Sequence, residues 1–185
     1  MLPDDDPGPV RRYTEAWGPA QKSRSGTLTE LRSGNMKIEI AETDAQILAC
    51  WDVFRQLRPH LVAETFVGDV RRMEKSGFLL VCLADPEVRA VAGYREMEMF
   101  ATGRILYVDD LVTDSQHRSK GYGKALLDWL LSEARRRGCE YLELDSGLKR
   151  ALAHRFYRRN GMGEVALHFS IPASGGPKWA GDGVA

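Results

Sequence analysis

Two glycines and three cations occur together where a strand-like run of the sequence gives way to a helix-like run. The stretch is Arg118-Ser119-Lys120-Gly121-Tyr122-Gly123, and Lys124 follows it. Glycine adopts backbone conformations that other residues avoid, so neighbouring N–H groups in such a turn can point at one negative group. The start of the next helix adds partial positive charge, and Arg118, Lys120 and Lys124 add full charges. The stretch therefore predicts a binding site for a pyrophosphate.

Two common phosphate-binding motifs do not fit this stretch. The nucleotide-binding P-loop requires a glycine where this chain has Arg118, and a Ser or Thr where it has Ala125. The dinucleotide fingerprint requires a third glycine where this chain has Leu126. The pattern that remains is Arg-x-x-Gly-x-Gly, which is short, so its neighbours must indicate which pyrophosphate it binds.

With those neighbours, the turn resembles the signature of the GNAT superfamily, whose members transfer an acyl group from acyl-coenzyme A to an amine. The similarity runs from near Met36 to about Ile171. Its specific parts are Leu111-Val112-Thr113, the glycine turn, and Ala153-His154-Arg155-Phe156-Tyr157 with Gly161-Met162. Met162 replaces a common phenylalanine, and Arg150 stands where many members carry an asparagine. The runs Tyr107-Val108-Asp109-Asp110-Leu111 and Leu144-Asp145-Ser146-Gly147 are similar to an uncharacterised bacterial branch.

The resemblance implies that acetyl-CoA is the co-substrate and that no metal takes part. The backbone near Leu111 would hold the pantetheine arm like an added strand, and the glycine turn would bind the pyrophosphate. Ser146 either binds the cofactor arm or begins a turn. The cofactor-binding residues expected in this way are Leu111, Val112, Thr113, Arg118, Ser119, Lys120, Gly121, Tyr122, Gly123, Lys124 and Ser146.

Tyr157 is the candidate general acid. A phenol is protonated at neutral pH and can donate its proton to a departing thiolate. The resemblance supports this role, because the superfamily often places a tyrosine at this point of the pattern. The alternative is that Tyr157 packs in the core beside Phe156.

Asp109 and Asp110 are the candidates for the general base. Aspartate is uncommon inside strands, so two in an apolar run require an explanation. Adjacent strand residues face opposite sides, so one of the two should reach the site unless a bulge intervenes. We favour Asp109, acting directly or through a water. The alternative is a structural carboxylate that pairs with a neighbouring arginine.

Other polar residues could also border the site. His154 shares a helix face with Tyr157, and His60 and His168 titrate in a suitable range, but a single histidine is more often structural. Arg58 lies in the turn between the first two helices and either binds an acidic acceptor group or is solvated.

The remaining elements form an α/β plan. Thr43 and Gln46 predict a capping box for a helix that carries Ile47, Leu48, Trp51, Phe54 and Leu57 on one stripe and ends at Pro59. Further helices are predicted at about 61–76, from the turn to Arg137, and at about 149–159. Strands are predicted at about 37–40, 78–83, 88–99, 105–113, 141–144 and 165–171. The expected fold is GNAT-like, a mixed central sheet of about six to seven strands flanked by about four helices.

The two ends of the chain differ from this region. Residues 1–35 include Asp4-Asp5-Asp6-Pro7-Gly8-Pro9 and little apolar periodicity, which predicts a disordered leader. Met36 opens directly into a strand pattern, so we expect the native start codon to encode it. Residues 36–171 then form the N-acetyltransferase domain, and residues 172–185 form a flexible tail.

Composition excludes several classes of partner. Lys plus Arg and Asp plus Glu number 26 each, so no net charge favours nucleic acid or an anionic membrane. No apolar run has the length of a membrane-spanning helix. Cys50, Cys82 and Cys139 are far apart without metal-ligand spacing, which indicates free thiols and a cytoplasmic location.

The sequence thus predicts a cytoplasmic N-acetyltransferase that uses acetyl-CoA and a primary amine, most simply a small molecule. Direct attack of the amine in a ternary complex is expected, because no feature requires a covalent acyl-enzyme. Two alternatives remain open: a protein N-terminus or lysine as acceptor, and a non-catalytic module that binds or senses acyl-CoA. Pairing through the last strand or the sheet edge would give a homodimer.

Overall fold

The computed structural model describes residues 36–173. The predictions for the leader, residues 1–35, and for the tail beyond Ala173 lie outside the described residues. Within this range, no helix combines the length and the apolar character that crossing a membrane requires.

A mixed five-stranded sheet forms the centre of the fold, with the strands in sequence order. The strands are β1 (Lys37–Ile40), β2 (Leu79–Ala84), β3 (Val88–Met99), β4 (Gly103–Thr113) and β5 (Tyr141–Leu144). The first three pairings are antiparallel, and β5 pairs with β4 in parallel. The α/β class and the mixed sheet are confirmed, although the strands are fewer than the sequence predicted.

The helices confirm the predicted positions. They are α1 (Asp44–Ala49), α2 (Trp51–Phe54), α3 (Ala63–Glu74), α4 (Tyr122–Arg136) and α5 (Ala151–Arg159). The Thr43 side chain accepts from the backbone N–H of Gln46, whose own side chain bonds back, so the capping box is present. The first predicted helix is interrupted at Cys50 and forms α1 and α2.

Two apolar layers cover the two faces of the sheet. One layer packs helices α1 to α3 on the sheet through Ile47, Phe54, Phe66, Phe78 and Val112. The other packs α4 on the opposite face through Tyr94, Leu106, Leu126 and Leu130. Leu48 was wrongly assigned to the buried stripe. It is 53% exposed, because it lies one residue, about 100° of helix rotation, from the buried Ile47.

A bulge interrupts the pairing of β3 with β4. Gly93 lies opposite Asp110, but the next residue, Tyr94, lies opposite Val108, so Asp109 is the extra residue. Gly93 is required here, because a Cβ at this position would lie 2.3 Å from Cε2 of Phe78. The bulge shifts the faces of β4, and consecutive side chains on either side of it can reach one site.

The predicted closing strand at residues 165–171 is wrong. The segment is not in the sheet, and its alternate apolar side chains are exposed, up to 85% for Phe169 and 89% for Ile171. Alternation marks a strand only when one face is buried, and here neither core layer covers the segment. His168 nevertheless approaches the sheet, since its Nδ1 lies 2.8 Å from Oδ2 of Asp145.

Candidate active site

The second half of β4 has a free edge. The strand pairs with β5 only from Ile105 to Val108, opposite Tyr141 to Leu144. From Asp110 to Thr113 it pairs with β3 on one side, and no described strand lies on the other. Backbone N–H and C=O groups on that side are available to an amide-bearing ligand that extends the sheet. This edge contains Leu111, Val112 and Thr113, as predicted for the pantetheine arm.

The glycine turn lies just beyond this free edge. A 3₁₀ turn, Ser115–His117, follows β4, and α4 begins at Tyr122. Ser119 has φ of 63° and Gly121 has φ of 92°, and Ser119 is the one non-glycine residue between 36 and 173 with positive φ. Residues of opposite helical hand in succession turn their N–H groups to one side, which makes a concave anion-binding surface. The 15-residue helix α4 adds its positive end.

Gly123 joins the turn to the end of β4. A Cβ at this position would lie 2.9 Å from Oγ1 of Thr113, closer than such contacts normally come. Only glycine therefore lets the first turn of α4 approach the strand this closely. This contact fixes the anion-binding turn relative to the free edge.

The side chains of the turn contribute unequally. Lys124 Nζ lies 2.6 Å from Oδ2 of Asp128 on the same helix, so its charge is already paired. The hydroxyl of Tyr122 donates to Asp85 at 2.8 Å and its side chain is buried, which leaves only its backbone for a ligand. Arg118 and Lys120 are exposed and form no ion pair among residues 36–173. They have no competing charge partner among these residues, whereas Lys124 shares its charge with Asp128.

A small cavity of about 30 Å³ lies where β4 and β5 separate. It has room for an amino group rather than for a whole substrate. It brings together the three predicted catalytic residues, Tyr157, Asp109 and Asp110, with side chains that the sequence did not identify. The cavity is lined by Leu57, Arg58, Val108, Asp109, Asp110, Leu111, Leu144, Asp145, Arg150 and Tyr157.

Tyr157 presents an uncommitted hydroxyl to this cavity. Its ring packs edge-on against Phe156, with centroids 5.4 Å apart. Its hydroxyl makes no hydrogen bond to any residue from 36 to 173. Burial raises the pKa of Tyr157, and nearby Arg150 opposes the rise. The phenol therefore stays protonated at neutral pH and can donate a proton.

Each of the two β4 aspartates has an arginine partner. Arg95 Nε lies 2.9 Å from Oδ2 of Asp109, and Arg58 Nε donates to Oδ1 of Asp110 at 2.7 Å. Asp110 is only 8% exposed, and this burial raises its pKa while Arg58 offsets part of the rise. The bulge at Asp109 lets both line the cavity, but both also match the structural alternative of a paired carboxylate.

Asp145 is a cavity residue that the sequence-based assignment missed. Its Oδ2 accepts a hydrogen bond of 2.7 Å from the Tyr107 hydroxyl and lies 2.8 Å from His168 Nδ1. Burial, followed by the bond to Asp145, raises the pKa of Tyr107, so this phenol remains the donor. The signal that could have found Asp145 is its position directly after a parallel strand, where ligand-binding residues of α/β sheets often lie.

Of the other polar candidates, one lines the cavity and another does not. Arg58 lines the cavity through its bond to Asp110, whereas His154 turns away and its Nε2 lies 3.0 Å from the carbonyl oxygen of Gly147. The Oγ of Ser146 is buried and has no hydrogen-bond partner among the described residues. A buried hydroxyl without a partner is unfavourable, and the hydroxyls of Tyr94 and Thr102 are in the same state.

A strand edge open among the described residues, a cationic glycine turn and the phenol of Tyr157 occur together in this part of the fold. The sequence profile of the Acetyltransferase (GNAT) family matches residues 44–162. The chain therefore belongs to this family and is an acyltransferase of the N-acetyltransferase type, as the resemblance predicted.

Two curated relatives share this region. The Uncharacterized N-acetyltransferase YhdJ of Bacillus subtilis (strain 168) is 37% identical over 109 residues, which is 58% of this chain and 77% of the relative. The Aminoalkylphosphonate N-acetyltransferase of Salmonella typhimurium (strain LT2) is 38% identical over 63 residues, covering 34% of this chain and 41% of that enzyme.

A solved structure supports the fold. The Aminoglycoside N-Acetyltransferase AAC(6')-Iy in complex with CoA superposes with a TM-score of 0.66, covering 80% of this chain and 99% of its own. The sequence identity is 15%, so this likeness concerns the fold alone.

Proposed function

We propose that this protein transfers an acetyl group from acetyl-CoA to the primary amine of a small molecule, by direct attack within a ternary complex. The observation that carries this proposal is the free edge of β4, which leads from the anion-binding turn to the cavity that Tyr157 and Asp145 both line. The similarity to an aminoalkylphosphonate N-acetyltransferase supports a small amine as acceptor.

The described residues fit acetyl-CoA. Backbone groups from Leu111 to Thr113 would pair with the pantetheine amides, and the turn at residues 118–123 would hold the pyrophosphate, assisted by the free cations Arg118 and Lys120. The unpartnered Oγ of Ser146 would receive a hydrogen bond from the arm or donate one to it. When bound, acetyl-CoA supplies an electrophilic thioester carbonyl and a thiolate leaving group.

The chain supplies the proton chemistry and the orientation. Tyr157 holds a proton on its phenolic oxygen, in a form that burial maintains. Unpaired N–H groups along the open side of β4 can donate to negative charge that develops on a carbonyl oxygen. Among residues 36–173, no cysteine, serine or lysine lines the cavity, which supports direct attack by the amine rather than a covalent acyl-enzyme.

Calorimetric titration with acetyl-CoA tests the proposal first. We expect saturable binding of acetyl-CoA and none of NAD, which has a pyrophosphate but lacks the amide-bearing arm. Gly123→Ala should weaken acetyl-CoA binding by about tenfold or more, because the added methyl displaces the turn from Thr113. Gly68→Ala is the matched control, because a Cβ there meets nothing within 4 Å. Absence of acetyl-CoA binding by protein with an intact circular dichroism spectrum would refute the proposal.

Release of free thiol with a panel of amines then separates the alternatives. Alkylamines, aminoalkylphosphonates and amino sugars represent small acceptors, and peptides with a free N-terminus or lysine represent protein acceptors. Turnover with the first group supports the proposal, and turnover with peptides alone would replace it with a protein acetyltransferase. Binding of acetyl-CoA without any turnover would indicate a sensing module instead.

Location and assembly complete the proposal. The three cysteines are free, which is consistent with a reducing cytoplasm. A homodimer would use the edge of the sheet that β5 forms or the exposed apolar segment at residues 165–171, and light scattering of the purified protein would measure its mass.

A further inference from the structure

We propose that Asp145 is the group that accepts the proton lost by the acceptor amine, with Tyr107 and His168 as the positioning residues that orient its carboxylate. The inference rests on the proposed acetyl transfer and assigns a role that the sequence had given to Asp109 or Asp110. It is carried by the geometry of one carboxylate at the mouth of the cavity.

The two oxygens of Asp145 are in different situations. Oδ2 accepts from the Tyr107 hydroxyl at 2.7 Å and lies 2.8 Å from His168 Nδ1. Oδ1 has no hydrogen bond or ion pair with any residue from 36 to 173. Because two partners tie down Oδ2, the carboxylate cannot rotate freely, and Oδ1 is held with its lone pairs available. Asp145 also lines the cavity that Tyr157 lines.

Each of the neighbouring aspartates already has a guanidinium partner. Arg95 bonds to Asp109 and Arg58 bonds to Asp110, so one oxygen of each carboxylate is engaged with a cation, although burial raises the pKa of Asp110. No arginine or lysine between residues 36 and 173 lies within ion-pair distance of Asp145. Protonation of Asp145 therefore breaks no ion pair with a permanently charged group.

Several ionisable groups surround Asp145. They are Tyr107 and Asp109 from β4, Glu143 from β5, His168 from the C-terminal segment and Arg150, which lines the same cavity, with Arg95 of β3 held by Asp109. Glu143 has a pKa raised by burial and then by the charge of Asp145.

The proton balance of the transfer is complete with these residues. When the amine nitrogen bonds to the acyl carbon and the carbon–sulfur bond breaks, the nitrogen loses one proton to Oδ1 of Asp145. The sulfur gains one proton from the phenol of Tyr157. Asp145, whose side chain is 52% exposed, then releases its proton to water, and Tyr157 regains one from water. Overall, an amine and a thioester give an amide and a thiol.

Asp145→Asn tests the proposal, because it keeps the size of the side chain and removes the proton acceptor. We expect kcat to fall on the order of 10²-fold or more, with the calorimetric Kd for acetyl-CoA unchanged. Asp109→Asn should cost less, and Asp52→Asn, an exposed aspartate 82% accessible and remote from the cavity, should behave like wild type. An Asp145→Asn enzyme that retains kcat within about threefold of wild type would overturn the proposal.

Two further readouts separate a proton acceptor from a structural residue. Added formate should restore part of the activity of Asp145→Ala and none of that of Asp145→Asn, whose amide fills the space. Tyr107→Phe should lower kcat by about tenfold without changing the Kd for acetyl-CoA, because Asp145 remains but is no longer held. Failure of formate to restore any activity to folded Asp145→Ala would count against the assignment.

The outcomes also distinguish this proposal from the function on which it rests. Wild-type protein that binds acetyl-CoA but releases no thiol with any amine would refute the proposed transfer, and the role of Asp145 with it. Wild-type turnover together with an unaffected Asp145→Asn variant would refute only the role of Asp145.

Discussion

Residues 103–108 and 109–113 are two halves of the same strand, β4, but they have different neighbours. The upstream half, residues 103–108, is paired with β3 on one side and β5 on the other. The downstream half, residues 109–113, begins at the bulge and is paired with β3 alone. Its other edge faces the cavity and leads to the anion-binding turn.

The polar groups beside the two halves differ in the same way. Near the upstream half, the charged groups are paired: Glu133 of α4 is bonded to both Arg136 and Arg137, and Arg137 also reaches Glu96 of β3. The buried hydroxyls of Tyr94 and Thr102 lack a partner among the described residues, but neither lines the cavity. Near the downstream half, the Tyr157 hydroxyl, the Ser146 Oγ and one oxygen of Asp145 have no partner among the described residues. Saturated groups stabilise a fold, whereas unsatisfied groups in a cleft are available to a ligand. Changes beside the upstream half should therefore alter stability, and changes beside the downstream half should alter binding and turnover.

The largest expected effect is on turnover, from Tyr157→Phe beside the downstream half. Removal of the phenolic proton should lower kcat on the order of 10²- to 10⁴-fold, with acetyl-CoA affinity and thermal stability retained. Steady-state thiol release measures this. Tyr94→Phe is the matched control, because Tyr94 lies opposite the upstream half and its buried hydroxyl has no partner in the described part of the chain. Equal losses from both variants would abolish the contrast between the halves.

The next effect is on stability, from Leu106→Ala in the upstream half. Leu106 is fully buried between the sheet and α4, so its truncation should lower the free energy of unfolding by about 2–5 kcal/mol. Urea denaturation measures this. Leu111→Ala, in the downstream half and only partly buried, should cost less. A larger loss at Leu111 would contradict the comparison.

We expect the loss of folding stability in acid to arise from groups beside the upstream half of β4. Hydrogen bonds from Arg136, and then from Arg137, lower the pKa of Glu133 from 4.5 to about 2. Because the pKa is lower in the folded protein, this stabilisation is complete above pH 4.5 and is lost as the pH falls towards about 2. Glu133→Gln should lower the free energy of unfolding by about 1–3 kcal/mol at neutral pH, after allowance for the exposure of Arg136.

Denaturation of Glu133→Gln as a function of pH checks this assignment. The variant should lose less stability than wild type between pH 4.5 and about 2, the window that the lowered pKa defines. Asp110→Asn should lose as much stability as wild type over this pH window. Burial raises the pKa of Asp110, so the ionised carboxylate of Asp110 is not the form that stabilises the folded protein. A wild-type acid profile in Glu133→Gln would show that another group is responsible.

The smallest expected effect is on cofactor binding, from Ser146→Ala. The buried Oγ has no partner in residues 36–173, so its removal should not lower stability. Loss of a hydrogen bond to acetyl-CoA should raise the calorimetric Kd by about three- to tenfold, equivalent to about 1 kcal/mol. Thr102→Val removes a similar orphan hydroxyl in the turn before β4 and should leave the Kd unchanged. An unchanged Kd in Ser146→Ala would remove Ser146 from the site.

The local elements were largely predictable, because their signals lie close together in the sequence. The capping box of Thr43 and Gln46, the strand Val88–Met99 and the stop of α4 before Gly138 each depend on a few neighbouring residues. The predicted strand at residues 165–171 failed for the opposite reason. Alternation reports which face of a strand could be buried, but another part of the chain must cover that face.

The site was predictable only in part. Asp109, Asp110 and Tyr157 do line one cavity, but no local pattern could show that arginines 58 and 95 would occupy both aspartates. Lys124 was assigned to the pyrophosphate because it follows the glycine turn, yet one helical turn later Asp128 pairs with it. That competition between partners could have been seen at helical spacing. The hydrogen bond of Tyr107 could not have been seen in the sequence, because its partner, Asp145, lies 38 residues away.

The sequence by itself determined the family, the order of the elements and the glycine turn, because each depends on residue types at fixed short spacings. Gly121 is required because its φ is positive, and Gly123 is required because α4 approaches Thr113 closely at that position. Only the tertiary structure decided which polar groups are satisfied and which remain open. That depends on the bulge at Asp109, on where β5 separates from β4, and on partners brought together from distant parts of the chain. A carboxylate becomes structural or reactive according to those neighbours, which its own position in the sequence does not specify.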